Sequence, residues 1–134
     1  YRTTKFYILR WSKTGTRKIR FLYKLMANIY QNAKVDLTTN GITTVVTAPS
    51  TSRLILKSII VSEDSGNADS ITLTITDAAG AVFSLFKTKT VSANATLELL
   101  EQPLILQESE ILKATAATGN RLHVVVSMLE INRS

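Results

Sequence analysis

One histidine, ten carboxylates and no cysteine are the raw material for chemistry in this 134-residue sequence. His123 lies between Leu122 and Val124. It has no second His or Cys with which to share a metal, and no nucleophile at a recognisable spacing, so it reads as a structural residue. The stretch Glu63-Asp64-Ser65-Gly66-Asn67-Ala68-Asp69-Ser70 gathers carboxylates around a glycine, the oxygen-rich composition that a hard cation such as calcium favours. It lacks the EF-hand spacing and reads as a solvated hairpin loop. A second acidic group, Glu98, Glu101, Glu108 and Glu110, offers paired carboxylates. Glycoside hydrolysis needs two such groups held ~5 to 10 Å apart across a cleft, and no aromatic platform accompanies these. Asn94-Ala95-Thr96 and Asn132-Arg133-Ser134 match the N-glycosylation pattern, which means little without a secretion signal. The glycines are scattered singly, so no phosphate-cradling loop is present. No catalytic, cofactor-binding or metal-ligating residues are therefore expected, and the chain reads as a structural or binding module.

Charge divides the sequence sharply. Residues 1–25 hold eight Lys or Arg and no Asp or Glu, a charge of +8; residues 26–134 hold eight basic and ten acidic residues, a charge of −2. Aromatics crowd the same leader, as in Lys5-Phe6-Tyr7, Arg10-Trp11 and Arg20-Phe21-Leu22-Tyr23-Lys24. Cations that neutralise phosphates, interleaved with rings that stack on bases, are what a nucleic-acid arm uses. Arg10, Trp11, Lys13, Arg17, Lys18 and Arg20 are the candidate contacts. The same composition suits an anionic membrane surface or an organellar transit peptide, and composition alone does not separate the three. A secretory signal is excluded, since charges interrupt every apolar run. The change at Met26-Ala27-Asn28-Ile29-Tyr30 also has the look of a translation start, which would make residues 1–25 upstream sequence; an arm packing on a neighbour is another reading. The expected organisation is a basic extension over residues 1–25 and one domain over residues 26–134.

The elements that would position any site are strands. Ser70 to Thr76 alternates strictly, with Ile71, Leu73 and Ile75 on one face and Thr72, Thr74 and Thr76 on the other. Leu122 to Ile131 and Arg53 to Ser62 are almost continuously apolar, as in a central strand covered on both faces or passing from the core into a contact. Turn residues recur at short intervals: Asn40-Gly41, Pro49-Ser50, Gly66-Asn67, Ala79-Gly80, Ala93-Asn94, Pro103 and Gly119-Asn120. They delimit about eight short strands. Helical spacing occurs only over Lys18 to Gln31, through Ile19, Leu22, Tyr23, Met26 and Tyr30. The fold class predicted is all-β, an antiparallel β-sandwich or jelly-roll. Strands this rich in Val, Ile, Leu and Thr leave edges that must be covered, which favours assembly into an oligomer or onto a particle. No apolar segment approaches the ~20 residues of a membrane span, and no membrane partner is expected.

The threonine-rich Thr43-Thr44-Val45-Val46-Thr47-Ala48-Pro49, the strand Leu54 to Ser62, Ala95-Thr96-Leu97-Glu98-Leu99-Leu100, Pro103-Leu104-Ile105-Leu106, Glu110 to Ala116 and the closing Asn120 to Ile131, ending in Leu-Glu-Ile, occur in an order that resembles small virion structural proteins of tailed bacteriophages. The resemblance covers Met26 to Ile131 and none of the leader. It departs at Gln107-Glu108-Ser109-Glu110, where such proteins usually carry a Gly-Asp turn. The resemblance implies a non-enzymatic β-sandwich in the virion, as a capsid decoration or at the neck or tail, with other virion proteins and further copies of itself as partners. It brings no cofactor and no site residues. Contact residues are expected among the outward members of the last strand and of Arg53 to Val61. The alternatives from other classes are a carbohydrate- or receptor-binding sandwich, with Tyr30 as its exposed ring and Phe83 and Phe86 in the core, and nucleic-acid binding through residues 1–25.

Overall fold

The computed structural model describes residues 28–132, and every element among them is a strand: β1 Asn28–Leu37, β2 Thr43–Thr47, β3 Ser52–Glu63, β4 Asp69–Thr76, β5 Val82–Val91, β6 Thr96–Glu98, β7 Leu104–Leu106, β8 Ile111–Ala116 and β9 Leu122–Asn132. All pairings are antiparallel. One sheet, called A below, runs β1-β9-β3, with β6 and β7 side by side along the far edge of β3; the other, sheet B, runs β2-β8-β4-β5. The chain alternates between sheets for four strands, spends β4 and β5 in sheet B, and returns through β6 and β7 to β8 and β9. With β6 and β7 counted as one broken strand, this is the eight-position, two-sheet winding of a jelly roll.

Eight of the strands match the sequence expectation, and β1 is additional. The helical spacing over Lys18 to Gln31 does not hold at its described end: Asn28 to Gln31 are strand, paired in register with Ile131 to Met128 of β9. The β-branched Ile29 and aromatic Tyr30 suit that pairing, and tertiary partners override a local period. The rest of that expectation, with the leader and its candidate nucleic-acid contacts Arg10, Trp11, Lys13, Arg17, Lys18 and Arg20, lies outside the described residues.

The core fills the space between the sheets. Leu37, Leu54, Leu56, Ile59, Val61, Val124 and Val126 enter from sheet A and Ile71, Leu73, Val91, Leu112 and Ala114 from sheet B, all fully buried. In β4 the period of two holds over Ile71 to Thr74, with Ile71 and Leu73 pointing in while Thr72 and Thr74 stay half-exposed, and it fails at the end of the strand, where Thr76 is buried and Ile75 only partly so. In β3 the phase slips: Leu54 and Leu56 point in, then Ile59 and Val61, with a bulge at Lys57. An inserted residue of this kind leaves one backbone position out of the ladder. The Glu98 carboxylate of the adjoining strand accepts the Ile59 N–H at 2.8 Å and the Leu100 N–H at 3.1 Å, which ties the bulged edge to the β6 segment.

Where the resemblance departs from the usual Gly-Asp turn, a turn forms nonetheless. Glu110 N–H bonds Gln107 C=O at 3.1 Å, the Glu110 carboxylate accepts Gln107 N–H at 2.8 Å, and Ser109 takes the left-handed conformation at φ 68° that a glycine would adopt more easily. Gly119 is required by close approach instead, since a Cβ there would stand 2.4 Å from the Thr38 carbonyl oxygen.

Candidate functional site

The acidic side chains singled out in the sequence do not converge on a cleft. Four of them, Glu63, Asp69, Glu98 and Glu110, accept backbone N–H groups. Glu63, at the end of β3, is buried. Its carboxylate accepts the N–H and hydroxyl of Ser65, the Gly66 N–H at 3.2 Å and the Asn94 N–H at 2.8 Å, so it ties together the β3–β4 and β5–β6 loops. Burial alone would raise its pKa, but the Ser65 hydroxyl and the N–H groups of Asn94 and Ser65 outweigh that and hold it down at about 2, against an ordinary 4.5. Asp69 accepts the Thr118 N–H at 3.1 Å, and Asp77 accepts those of Ala79 and Ala81. Glu108 pairs with Arg53 at 3.3 Å. The oxygen-rich stretch, read as a solvated hairpin loop, thus has its Glu63 buried on backbone amides, and among the described residues no three His, Asp or Glu side chains are grouped to hold a metal ion.

His123 stands on the outward side of β9 between two carboxylates, Nε2 3.4 Å from Asp36 of β1 and Nδ1 3.5 Å from Asp64 of the β3–β4 loop. It joins three segments at one corner of sheet A. The sequence reading of a structural histidine anticipated no such partners, because they come from positions 87 and 59 residues away in the chain (36 and 64 against 123).

The feature that needs a function is the outer face of sheet A. The register sets Tyr30 opposite Leu129, Leu129 opposite Ile55, and Ile55 opposite Ile105, an apolar row crossing four strands on the side away from the core. Ile131 lies in the row beside it, opposite Arg53, and on the other side a shallower row runs Asn32, Ser127, Ser58. Beyond that come Lys34, Val125, Ile60 and Glu98. Tyr30 is 75% exposed and Ile105 54% exposed. The small side chains of the middle row leave a hollow of about 500 Å³ lined by Tyr30, Gln31, Asn32, Lys57, Ser127 and Met128. The expected contact residues of the last strand and of Arg53 to Val61 therefore become neighbours on two adjoining strands. Their outward members are His123, Val125, Ser127, Leu129 and Ile131 on β9, and Arg53, Ile55, Ser58 and Ile60 on β3. Tyr30 and Ile105 complete the row and were not expected in it. Phe83, expected in the core, is instead 56% exposed near the start of the edge strand β5, while Phe86 packs against the core.

No protein-family model matches this sequence, and no curated protein matches it. Solved structures do share its architecture. A protein of the Bacillus endospore appendages, a family of disulfide-linked pili, superposes with a TM-score of 0.52 at 8% identity over 81% of this chain and 90% of that one. The two chains share a fold. A capsid protein of a Helicobacter pylori bacteriophage matches with a TM-score of 0.48 at 13% identity, over 81% of this chain and 90% of its own. One from a cyanophage capsid matches at 0.40 and 20% identity, over 77% and 83% of the two chains. Virus capsid proteins, phage capsids among them, make up most of the structural neighbours.

Proposed function

We propose that this protein is a non-enzymatic structural component of a phage particle, placed on the capsid as a decoration or at the neck or tail, and that it coheres with its neighbours through the outer face and edges of sheet A. The observation that carries this is the Tyr30–Leu129–Ile55–Ile105 row. A two-sheet sandwich needs one apolar face per sheet, and sheet A carries an apolar row on its outward face as well. An outward apolar row crossing a whole sheet marks a contact surface. The shared fold with a pilus protein and the resemblance of the strand sequence to phage virion proteins support the same class of role. Sedimentation of the full chain over a range of concentrations, with and without proteins from dissociated virions, tests it. Self-association or capture of a virion protein that is lost in Ile55→Lys is expected; a monomer at every concentration that ignores virion proteins overturns it.

Any nucleic-acid contact within the particle is assigned to residues 1–25, because the remaining chain carries −2. Its signature is binding that weakens steeply with salt and disappears when those residues are removed. A second reading, carbohydrate binding, is favoured by one observation, the exposed Tyr30 ring beside the amide and hydroxyl groups of the hollow. Glycan binding abolished by Tyr30→Ala would establish it.

A further inference from the structure

Among the described residues, strands with an open side occur at four places in the sandwich, and three of them carry features that discourage pairing. β2 is five residues long and bulged between Thr44 and Val46. β6 and β7 are three residues each, separated by a segment containing Pro103. β5 is ten residues long, but its register breaks twice, Thr88 stands at φ 50°, and Lys87 and Lys89 sit on it. Short length, bulges and edge lysines are the devices by which sheets avoid joining one another. β1 has none of them over its first six residues. It keeps ten residues in unbroken register with β9, contains no Gly or Pro, and carries no charge before Lys34. Among the described residues no strand pairs with its other side, and Asn28 to Asn32 are all exposed.

We propose that the open edge of β1 pairs antiparallel with β1 of a second copy, about a two-fold axis at Asn32. This rests on the assembly reading above and names its first contact. An antiparallel edge is complementary to itself in its backbone groups, which points to a second copy as the partner. The side chains select the register. A two-fold at Asn32 sets Asn28 against Asp36, Ile29 against Val35, Tyr30 against Lys34 and Gln31 against Ala33. Amide meets carboxylate, apolar meets apolar, ring meets cation, and no like charges oppose. Moving the axis one residue to Ala33 would set the Tyr30 ring against Asp36 and Gln31 against Val35. Directly opposed residues share a face, so the two outer faces come to lie on the same side. The pair then presents one continuous sheet with the apolar row of each copy on it.

The absence of cysteine makes the test clean. Single cysteines are placed in turn at residues 29 to 35 of the full chain, with Lys89→Cys on β5 as the control edge, and disulfide dimers are measured after mild oxidation. Dimer yield is expected to peak at Asn32→Cys, to fall on either side, and to exceed the control severalfold. In the unmodified protein, amide exchange over residues 28 to 36 is expected to slow as concentration rises. A peak at another position overturns the register proposed. Yields no greater than the control, in a protein that still self-associates by sedimentation, overturn the β1 pairing and leave the assembly reading standing. A protein that is monomeric throughout and captures no virion protein overturns both. Cross-linking confined to the control side, or amide protection of β1 that does not depend on concentration, shows the edge covered within one chain and overturns the pairing as well.

Discussion

The two outer faces of the sandwich differ in chemistry although the inner faces that oppose them are alike. On sheet B the central strands present hydroxyls and lysine outward, Ser70, Thr72, Thr74, Thr115 and Lys113, with Thr72 opposite Thr115 and Thr74 between Lys113 and Ser84 of β5, and the exposed apolar side chains Val82 and Phe83 are confined to the start of that edge strand. On sheet A the outward side is Leu129, Ile55, Ile105, Val125 and Ile60, with Tyr30 at the margin. Sheet B is finished by water, as half-buried antiparallel sheets usually are. Sheet A is built as though a further layer were to cover it. Core formation therefore does not account for the whole apolar content of β3 and β9.

The largest effects should come from the shared core, where the two sheets are equivalent. Leu56→Ala in sheet A and Leu73→Ala in sheet B both empty fully buried positions, and each is expected to cost about 2–5 kcal/mol in denaturant unfolding. A marked difference between them would mean that the inner faces are not one core. Next, Leu129→Lys on the outer face of sheet A should leave the folded domain intact yet weaken assembly by about 2 kcal/mol, roughly 30-fold, as for a central interface residue. Thr115→Lys, its counterpart on sheet B, should leave sedimentation unchanged. Equal behaviour of these two variants would erase the contrast between the faces.

A smaller effect is expected at Glu63, where the chain passes from sheet A to sheet B. Its pKa of about 2 in the fold lies below the ordinary 4.5, so the unfolded chain binds the proton more readily. The stability it supplies is complete above pH 4.5 and is lost as pH falls toward about 2. Melting temperature should therefore drop across that window, and Glu63→Gln should flatten the drop while lowering the plateau. The smallest effect is at the Gln107–Glu110 turn. Ser109→Gly should relieve a left-handed residue and raise stability by no more than about 1 kcal/mol, measurable as a shift in the urea midpoint.

Much of the fold was legible because turns and alternation are local signals. The strict period of β4 follows directly from Ile71, Leu73 and Ile75, and the dipeptides Ala79-Gly80 and Gly119-Asn120 mark real reversals, with Gly80 and Asn120 at positive φ. β1 was harder. Its first half pairs with β9 while exposing both faces, so Asn28 to Asn32 have no reason to alternate, and a chance helical spacing through Tyr30 took precedence. The bulge at Lys57 was hidden for the opposite reason: residues 54 to 56 and 59 to 61 are all apolar, so a one-residue phase slip leaves no trace in the pattern. The carboxylates of the β3–β4 loop read as solvated by composition, and their backbone partners were not legible. Glu63 and Asp69 act as acceptors for loop amides, which depends on where backbone N–H groups point in the fold.

Composition and period were enough to show that residues 28–132 form strands, that the basic charge is concentrated in residues 1–25, that Thr72 and Thr74 of β4 face away from the core, and that two strands carry more apolar surface than one core requires. Those are properties of composition and period, and they survive any arrangement of strands. Tertiary structure alone decided that the two apolar strands are neighbours, that their surplus faces the same way, and that Tyr30 and Ile105, 75 residues apart, extend one row across the sheet. Register between distant strands is set by turns, bulges and packing acting together, and none of these can be read from one segment at a time.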